Sequence, residues 1–265
     1  MSIRPCTLLS VLILAIWLPA LTVSADTSLP PHRAEYLITR DGLPVATMVI
    51  KLELLQGKAY RYRSTTRPHG ALALVSMALE IVSGARITEE STGAITAGRF
   101  RPAHYRHLRD NEDSRELTVS FNWDTGRATM DSENKPWSMT IPEGTMDKLV
   151  VLLALRNDLA AGILSPSYPV ADGGKLKTYK YRMQGRQEIT TPAGLWNSVE
   201  LVRSKNDDPP DYRLWLAPDL SYLPIRVERN ENGSLFRMDL ISIEGLGADP
   251  LAAPEKEVDQ KLEPE

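Results

Sequence analysis

Hydrophobic and polar residues alternate with a period of two along most of the chain between residues 34 and 244. Turn-forming pairs such as Asp41-Gly42 interrupt this alternation and favour hairpins between antiparallel strands. The pattern predicts about a dozen strands: 34–40, 45–55, 59–67, 85–90, 99–109, 115–123, 127–131, 175–184, 186–190, 195–204, 212–216, 222–229 and 234–244. That many twisted strands tend to close on themselves, so we predict a mainly β fold, a curled antiparallel sheet or a half-open β-barrel.

Two apolar segments depart from the strand pattern and predict helices. Residues 71–82 are rich in Ala, Leu and Met and indicate a short, largely buried helix. The clearest helix is predicted at 146–161, with Thr145 as the N-cap, Asp147 in the first turn and Gly162 just past the end. Leucines cover more than half of its circumference, which is typical of a helix buried on most sides. We expect the two helices to plug or cap the barrel.

The N-terminal segment has the pattern of a secretory signal peptide. Arg4 precedes an apolar run at 8–18, and the small residues Val23-Ser24-Ala25 form a cleavage site before Asp26. The apolar run has about half the length that a membrane-spanning helix needs. We therefore predict a signal peptide at 1–25, cleaved after Ala25, and a periplasmic mature protein. Secretion from another kind of bacterium is the alternative.

Composition limits the chemistry of the mature chain. Cys6 is the only cysteine and is removed with the signal peptide, so we predict no disulfide, thiolate nucleophile or cysteine-bound metal. The chain has 31 basic and 34 acidic side chains, and its acidic surplus lies in the proline-containing tail 249–265, which we predict to be disordered. The remaining segment, 26–248, is predicted to be one domain without net charge. It has neither the basic field of a nucleic-acid-binding protein nor a polybasic patch for a membrane.

Four stretches carry a pattern that resembles a known family. They are 34–36, 98–105, 185–194 and the segment from Trp215 to Pro224, which we call the signature stretch. Together they resemble the bacterial family of exported proteins named domain of unknown function 3108, over roughly residues 32 to 245. The resemblance implies a β-rich periplasmic domain. It implies no established reaction and no catalytic residues.

The family-pattern residues have two interpretations. Pro218-Asp219 suits a β-turn, and Trp215 and Tyr222 are predicted to face each other across the resulting hairpin and fix its register. Alternatively, Trp215 lines the mouth of a pocket. The candidate pocket or signature residues are Trp215, Pro218, Tyr222, Pro224, Glu188 and Met77.

Other residue types capable of chemistry form no recognisable constellation. His104 and His107 are three apart in a predicted strand and so project to opposite faces, which disfavours a shared metal. The sequence has no nucleophile elbow, phosphate loop or dinucleotide motif. We predict no catalytic residue, cofactor or metal. The basic and aromatic residues that alternate along 99–109 and 175–179 indicate a solvated outer face or, alternatively, a groove for an anionic polymer or lipid head group.

These observations predict a non-catalytic binding or carrier-type module of the cell envelope. A barrel of this size can enclose one apolar ligand, and the helix at 71–82, with Met77, and the helix at 146–161 would close its mouth. The ligand would be lipid-like, or the partner another envelope protein. The alternatives are a structural or interaction protein with a filled core and an unrecognised hydrolase.

Overall fold

Fifteen β-strands and one α-helix make up the described parts of the chain. The computed structural model describes residues 29–69, 85–110, 115–131 and 136–247. The predicted signal peptide, the predicted helix at 71–82 with Met77, and the predicted tail lie outside these residues. The strands are β1 (His32–Arg40), β2 (Leu43–Leu55), β3 (Ala59–Pro68), β4 (Arg86–Thr96), β5 (Arg99–Asp110), β6 (Arg115–Asn122), β7 (Arg127–Asp131), β8 (Trp137–Thr140), β9 (Met146–Asp147), β10 (Ser167–Asp172), β11 (Lys175–Thr191), β12 (Gly194–Lys205), β13 (Tyr212–Ala217), β14 (Leu223–Glu231) and β15 (Ser234–Glu244).

All fifteen strands belong to one curled sheet, which confirms the predicted fold class. Their order is β8-β7-β6-β5-β4-β3-β2-β1-β15-β14-β13-β12-β11-β10-β9. Strands that follow each other in sequence are therefore neighbours, except β8 and β9, and β1 also pairs with β15. Pairing is antiparallel except between β9 and β10. The sheet is not closed, and β8 and β9 are its edges. Residues 141–145 join these edges, and a connection that short spans at most roughly 20 Å.

The helix α1 (Val151–Ala160) is shorter than predicted and begins later. Residues 146 and 147 form the edge strand β9 instead of the first helical turn. Thr145 is not the N-cap, because its hydroxyl donates to the carbonyl of Pro142 at 2.7 Å. The turn that leads into α1 is instead fixed by Asp147, whose Oδ1 accepts the backbone N–H groups of Leu149 at 2.8 Å and Val150 at 2.7 Å.

The C-terminal end of α1 is confirmed as predicted. Gly162 has a φ of +84°, in the left-handed region that glycine tolerates. Its N–H donates to the carbonyl of Leu159 at 3.0 Å, and the N–H of Ile163 donates to the carbonyl of Asp158 at 2.8 Å. These two bonds form a Schellman motif, which satisfies carbonyls that the helix itself leaves free.

The helix is buried on most sides, as its leucine pattern predicts. Leu153, Leu155 and Leu159 are almost inaccessible to solvent. They belong to one apolar cluster with side chains from strands on both sides of β1, including Leu52 on β2 and Leu216 on β13. The helix therefore forms part of the core of the curled sheet and does not act as a lid over an empty interior.

The predicted strands omit β8, β9 and β10, and two bulges alter the strands that were predicted. The predicted turn at Gln184-Gly185 is wrong, because β11 is continuous there and only shifts register between Met183 and Gly185. In β5, Ala103 is the extra residue of a second bulge, since Thr92 faces His104 and Gly93 faces Pro102. A Cβ on Gly93 would lie 2.1 Å from the carbonyl oxygen of Arg101, so glycine is required opposite this bulge.

The residues of 99–109 do not form one continuous solvated face, because the bulge in β5 changes which side chains point inward. Phe100 and Pro102 are buried before the bulge, whereas Tyr105 is buried after it. The inward-facing set changes phase because one extra residue reverses the alternation of side chains. Arg99 and Arg101 therefore lie on one surface, and Tyr105 packs in the interior.

Candidate functional site

A cleft of about 690 Å³ opens beside the C-terminal half of α1. Its other walls are the tip of the β4–β5 hairpin, the turn after β6 and the loop that precedes β9. The small side chains of Ala154 and Ala161 face it from the helix and leave the space open. Its volume is within the range that holds small-molecule ligands. Large apolar side chains supply much of its surface: Phe100, Trp123, Met146, Ile163 and Tyr168. We call this space the α1 cleft.

Asn157 is the polar side chain of α1 that connects the helix to the opposite wall of the α1 cleft. Its Nδ2 donates to the carbonyl of Gly98 at 3.1 Å and ties the helix to the hairpin tip. The carbonyl oxygen of Gly98 fixes the orientation of the amide, because only the NH₂ group can donate. The amide oxygen Oδ1 is consequently directed elsewhere, and it is buried without a hydrogen-bond partner among the described residues. The residue as a whole is 9% exposed.

Charged side chains of both signs line the α1 cleft. Arg101 pairs with Glu143 at 3.4 Å, and Arg99 makes no ion pair with any residue that the structure describes. Asp158 accepts a hydrogen bond from the hydroxyl of Tyr168 at 2.6 Å. Burial, together with this carboxylate, raises the pKa of Tyr168, which stays a neutral donor. The two guanidinium groups and two carboxylates leave the cleft formally neutral.

Trp123 is held rigidly at one side of the α1 cleft. Its Nε1 donates to the carbonyl of Pro102 at 2.7 Å. The guanidinium of Arg101 lies over its ring, 4.7 Å from the centroid, and Phe121 stacks on it with centroids 6.0 Å apart. This wall of the cleft is therefore preformed, because hydrogen bonding and ring contacts fix its largest side chain.

A smaller cleft of about 310 Å³ lies where the two ends of the sheet approach each other. Trp137 on β8 packs against the turn between β10 and β11, and a Cβ on Gly174 would lie 3.1 Å from its Cδ1. Lys148 also lines this space, and its Nζ lies 5.7 Å from the ring centroid of Tyr105. This second cleft is a seam between sheet ends and is less than half the volume of the α1 cleft.

Asp147 lies at the centre of a buried network close to both clefts. Ser91 donates to its Oδ2 at 2.6 Å, and the hydroxyl of Tyr60 lies 3.0 Å from Ser91 Oγ. Burial raises the pKa of Asp147 to about 6. Ser91 and Asp147 are only 0% and 1% exposed, so a substrate does not reach them. We interpret this serine–carboxylate pair as structural, since it fixes the turn into α1.

Arg156 is a fully buried cation in the core. Its Nε donates to the carbonyl of Ser221 at 3.0 Å, and Nη2 reaches the carbonyl of Leu220 at 3.4 Å. Its Nη1 donates to Nε2 of His32 at 2.9 Å, while His32 Nδ1 donates to the carbonyl of Pro30 at 2.8 Å. Burial and the Arg156 charge lower the pKa of His32 to about 4, so the imidazole stays neutral and accepts this bond.

Comparison with known proteins places the chain in a family. The family model described as protein of unknown function (DUF3108) matches residues 35–241. The chain belongs to this family. The description of DUF3108 names no activity, so it assigns no role to any residue. No curated protein matches the chain.

A solved structure shares the fold of this DUF3108 protein. It is the crystal structure of a β-barrel-like protein of domain of unknown function DUF1849 from Brucella abortus. The two chains are 13% identical, and the match covers 82% of this chain and 98% of that chain with a TM-score of 0.52. At this level of identity the likeness concerns the fold alone.

The DUF3108 signature stretch packs against α1 and does not line the α1 cleft. Pro218 begins a single 3-10 turn that ends at Leu220, which confirms the predicted turn. The prediction that Trp215 faces Tyr222 is wrong. Trp215 lies opposite Glu200 and Arg226, whereas Tyr222 lies in the turn itself with a φ of +56°. The turn continues through Ser221 and Tyr222, which both have positive φ, and the carbonyls of Leu220 and Ser221 accept donors from Arg156.

The other candidate residues are distributed over the sheet. The carbonyl of Pro224 accepts the hydroxyl of the buried Tyr36 at 3.0 Å, which joins two stretches of the family pattern. Glu188 is exposed on β11 and does not line the α1 cleft. Trp215 is 5% exposed and packs in the core, so the structure supports its structural interpretation.

The residues that form the α1 cleft were not singled out from the sequence, with partial exceptions. Phe100 and Arg101 belong to the family-pattern stretch 98–105, and Arg99 is one of the basic residues that alternate along 99–109. The sequence does not identify Asn157 as a cleft residue, because a single asparagine in an apolar helix is usually only a tolerated polar residue. Its importance depends on the contact with Gly98, 59 residues away in the chain.

Metal ligands and membrane-spanning helices were sought in the described residues. In the ranges given above, no group of three His, Cys, Asp or Glu side chains is placed to hold a metal ion. In the same ranges, no helix is long and apolar enough to cross a membrane. His104 is exposed beside Ser120, and His107 lines the second cleft.

Proposed function

We propose that this DUF3108 protein is a non-catalytic binding module of the cell envelope that holds an apolar or lipid-like molecule in the α1 cleft. The observation that carries the proposal is the cleft itself. It combines about 690 Å³ of space with apolar walls, a fixed tryptophan and a few convergent polar groups. This combination is characteristic of small-molecule binding sites.

The packed core argues for the α1 cleft over the interior of the sheet as the ligand site. Leu153 and Leu155 of α1 fill the region that an enclosed ligand would need. The α1 cleft lies at the edge of this core and continues onto the exposed side chains of Ile163 and Leu164. An apolar molecule could therefore enter without unfolding the core, and its burial would be favoured by the hydrophobic effect.

A pair of adjacent alanines gives a direct test of the site. Ala160 and Ala161 are both exposed at the end of α1, but only Ala161 lines the α1 cleft. We expect the purified protein to bind Nile red, a neutral apolar dye, and to retain lipid detectable by mass spectrometry. Ala161→Trp should fill the cleft and weaken dye binding about tenfold or more, whereas Ala160→Trp should not.

The outcome decides between the proposal and an interaction protein with a filled core. If the α1 cleft binds no ligand, the tight packing around α1 favours the interaction protein. Absence of dye binding and of retained lipid in the wild-type protein would contradict the proposal and favour that alternative. Equal effects of the two tryptophan variants would place the binding site elsewhere. A hydrolase has less support, because Ser91 and Asp147 are closed to substrate.

We propose the periplasm as the place where this module works. The support is the sequence of residues 1–25, with its basic start, apolar run and small residues before Asp26. Mass spectrometry of the periplasmic fraction should find a mature N-terminus at Asp26. Recovery of the chain with Met1 intact would contradict the proposed location.

A further inference from the structure

We infer that the end of the sheet where the α1 cleft opens docks on the surface of a lipid bilayer. The segments that make the contact are the loop 160–165 after α1, which we call the rim loop, and the turn between β2 and β3. This inference rests on the proposed function, because a bilayer is the source from which an apolar ligand of the cleft would be taken.

Exposed apolar side chains are concentrated at this end of the sheet. Ile163 and Leu164 lie in the rim loop, and Leu54 and Leu55 end β2. The turn after β2 adjoins the hairpin tip that walls the α1 cleft, because β3 begins opposite Ala94, two residues before β4 ends. Four of the six large apolar side chains that are exposed in the described residues therefore lie at the cleft end. The other two lie at the opposite end of the sheet: Leu43 and Leu176.

The rim loop is exposed over its whole length and carries no charge. Asp158 and Asp172 are the nearest charged residues before and after it in the sequence, and residues 160–165 are all exposed. Leu176, in contrast, lies between two lysines. Charged neighbours favour contact with water, whereas an exposed uncharged run with large apolar side chains can enter the boundary of an apolar phase.

The backbone is fixed at both ends of the rim loop. The N–H of Ile163 donates to the carbonyl of Asp158 at 2.8 Å, as part of the Schellman motif that ends α1. Beyond the loop, the carbonyl of Pro166 accepts the N–H of Tyr181 at 3.0 Å. The loop therefore presents its apolar side chains without a further folding step, and these backbone groups do not need water as a partner.

The rim loop is continuous with the apolar interior of the α1 cleft. Ile163 lines the cleft and is 47% exposed, so it lies between the interior and the solvent. Phe100 and Met146 line the same cleft and are buried. An acyl chain could therefore pass from a bilayer at Ile163 to Met146 in contact with apolar side chains, which avoids its exposure to water.

A bilayer fits these segments better than a folded partner does. A specific protein interface packs a contiguous apolar centre and takes roughly 20–30 residues from each side. The rim loop and the turn after β2 are instead separate projections with two large apolar side chains each. Such side chains can enter a fluid lipid surface independently, without shape complementarity. Since the segment 26–248 has no net charge, we expect docking on neutral lipid.

A fluorescent label at single positions tests the docking. The mature chain predicted to begin at Asp26 contains no cysteine, so an introduced cysteine is the only site for a thiol-reactive nitrobenzoxadiazole label. Leu164→Cys places the label on the rim loop and Leu176→Cys places it at the opposite end, at leucines that are each 41% exposed. With neutral phosphatidylcholine vesicles, the label at position 164 should gain fluorescence about threefold, because this dye is brighter in an apolar medium. The label at position 176 should change little.

Leu164→Asp tests whether the apolar side chain itself holds the protein on the vesicles. A charge on the rim loop should lower the binding of unlabelled protein in vesicle flotation by about tenfold, whereas the matched control Leu176→Asp should bind like wild type. Equal binding by the two variants would overturn the inference.

The labelled proteins also distinguish other occupants of the rim loop. Equal gains at positions 164 and 176, or no gain at position 164, would overturn the inference. A signal at position 164 that rises with protein concentration in the absence of vesicles would assign the rim loop to a second copy of the chain and would also overturn it. Nile red binding by the wild-type protein without vesicles is a separate measurement. Dye binding without docking would leave the proposed function intact, whereas absence of dye binding would contradict the proposed function.

Discussion

Two neighbouring residues of α1 face regions of opposite character. Arg156 faces the DUF3108 signature stretch, where two carbonyl groups and a neutral histidine accept its donors. Asn157 faces the α1 cleft, where one of its two polar atoms has no partner among the described residues. Each guanidinium nitrogen of Arg156 has a hydrogen-bond partner, whereas the Oδ1 of the neighbouring amide has none among the described residues. We call the side of α1 that faces the signature stretch the closed side and the side that faces the α1 cleft the open side. The closed side stabilises the fold, whereas the open side has a polar atom without a described hydrogen-bond partner and borders empty space.

This contrast explains where the signature stretch acts. Its turn places the carbonyl groups of Leu220 and Ser221 at Arg156, and Pro224 receives the hydroxyl of Tyr36. The stretch therefore fixes α1 inside the sheet. It positions the α1 cleft indirectly, because the same helix carries Ala154, Asn157 and Ala161 on its other side.

The largest effect is expected from truncation of the closed side. Leu153→Ala should lower the free energy of unfolding by roughly 2–5 kcal/mol, because Leu153 is 0% exposed in the main core. Leu152→Ala, at the half-buried neighbouring position, should cost less. Urea denaturation measures both. A loss below about 0.5 kcal/mol for Leu153→Ala would mean that α1 is a surface helix.

Removal of the buried charge should have the next largest effect. Arg156→Met keeps most of the side-chain volume but leaves the carbonyls of Leu220 and Ser221 and the imidazole of His32 without their donor. We expect a loss of about 3 kcal/mol, since each buried unsatisfied acceptor costs roughly 1–3 kcal/mol and the relieved desolvation of the cation offsets part of the sum. Arg156→Lys should also destabilise, because an ammonium lacks the forked donors. If Arg156→Met were as stable as wild type, the buried guanidinium would contribute nothing to the free energy of unfolding.

The burial of α1 and the long strands of the sheet around it could be predicted from the sequence. Period-two alternation predicted the long strands, and Asp41-Gly42 and Asn232-Gly233 form the expected hairpin turns with positive φ at each residue. The leucine pattern predicted that α1 is buried. These features depend on residues close together in the chain, so local patterns reveal them.

The parts that could not be predicted depend on contacts between distant residues. The two-residue strand β9 exists only because it pairs with β10, and its sequence otherwise continues the helical pattern. Ala103 is a bulge because of its pairing partner Gly93. The α1 cleft requires the hairpin tip at Gly98 to meet α1. A single sequence carries no local signal for any of these three.

Stability should also depend on pH through Asp147 at the start of the closed side. Burial raises its pKa in the folded state to about 6 from an ordinary value of 3.8. The folded state therefore takes up the proton first, and its stabilising contribution is present at low pH and lost as pH rises through 6. Between pH 7.5 and pH 5, wild type should gain about 1.4 kcal/mol relative to Asp147→Asn. Denaturation of both proteins at the two pH values measures this difference, and an unchanged difference would contradict the raised pKa.

The smallest effect is expected on the open side. Asn157→Leu removes the hydrogen bond to Gly98, which contributes about 1 kcal/mol, but it also removes the buried oxygen that lacks a donor. These two contributions have opposite signs, so the free energy of unfolding should change by less than about 0.5 kcal/mol. Arg156→Met, one residue away, should change it several-fold more in the same urea titration. A loss above about 2 kcal/mol for Asn157→Leu would make Asn157 a structural residue like Arg156. The two sides of α1 would then both serve to stabilise the fold.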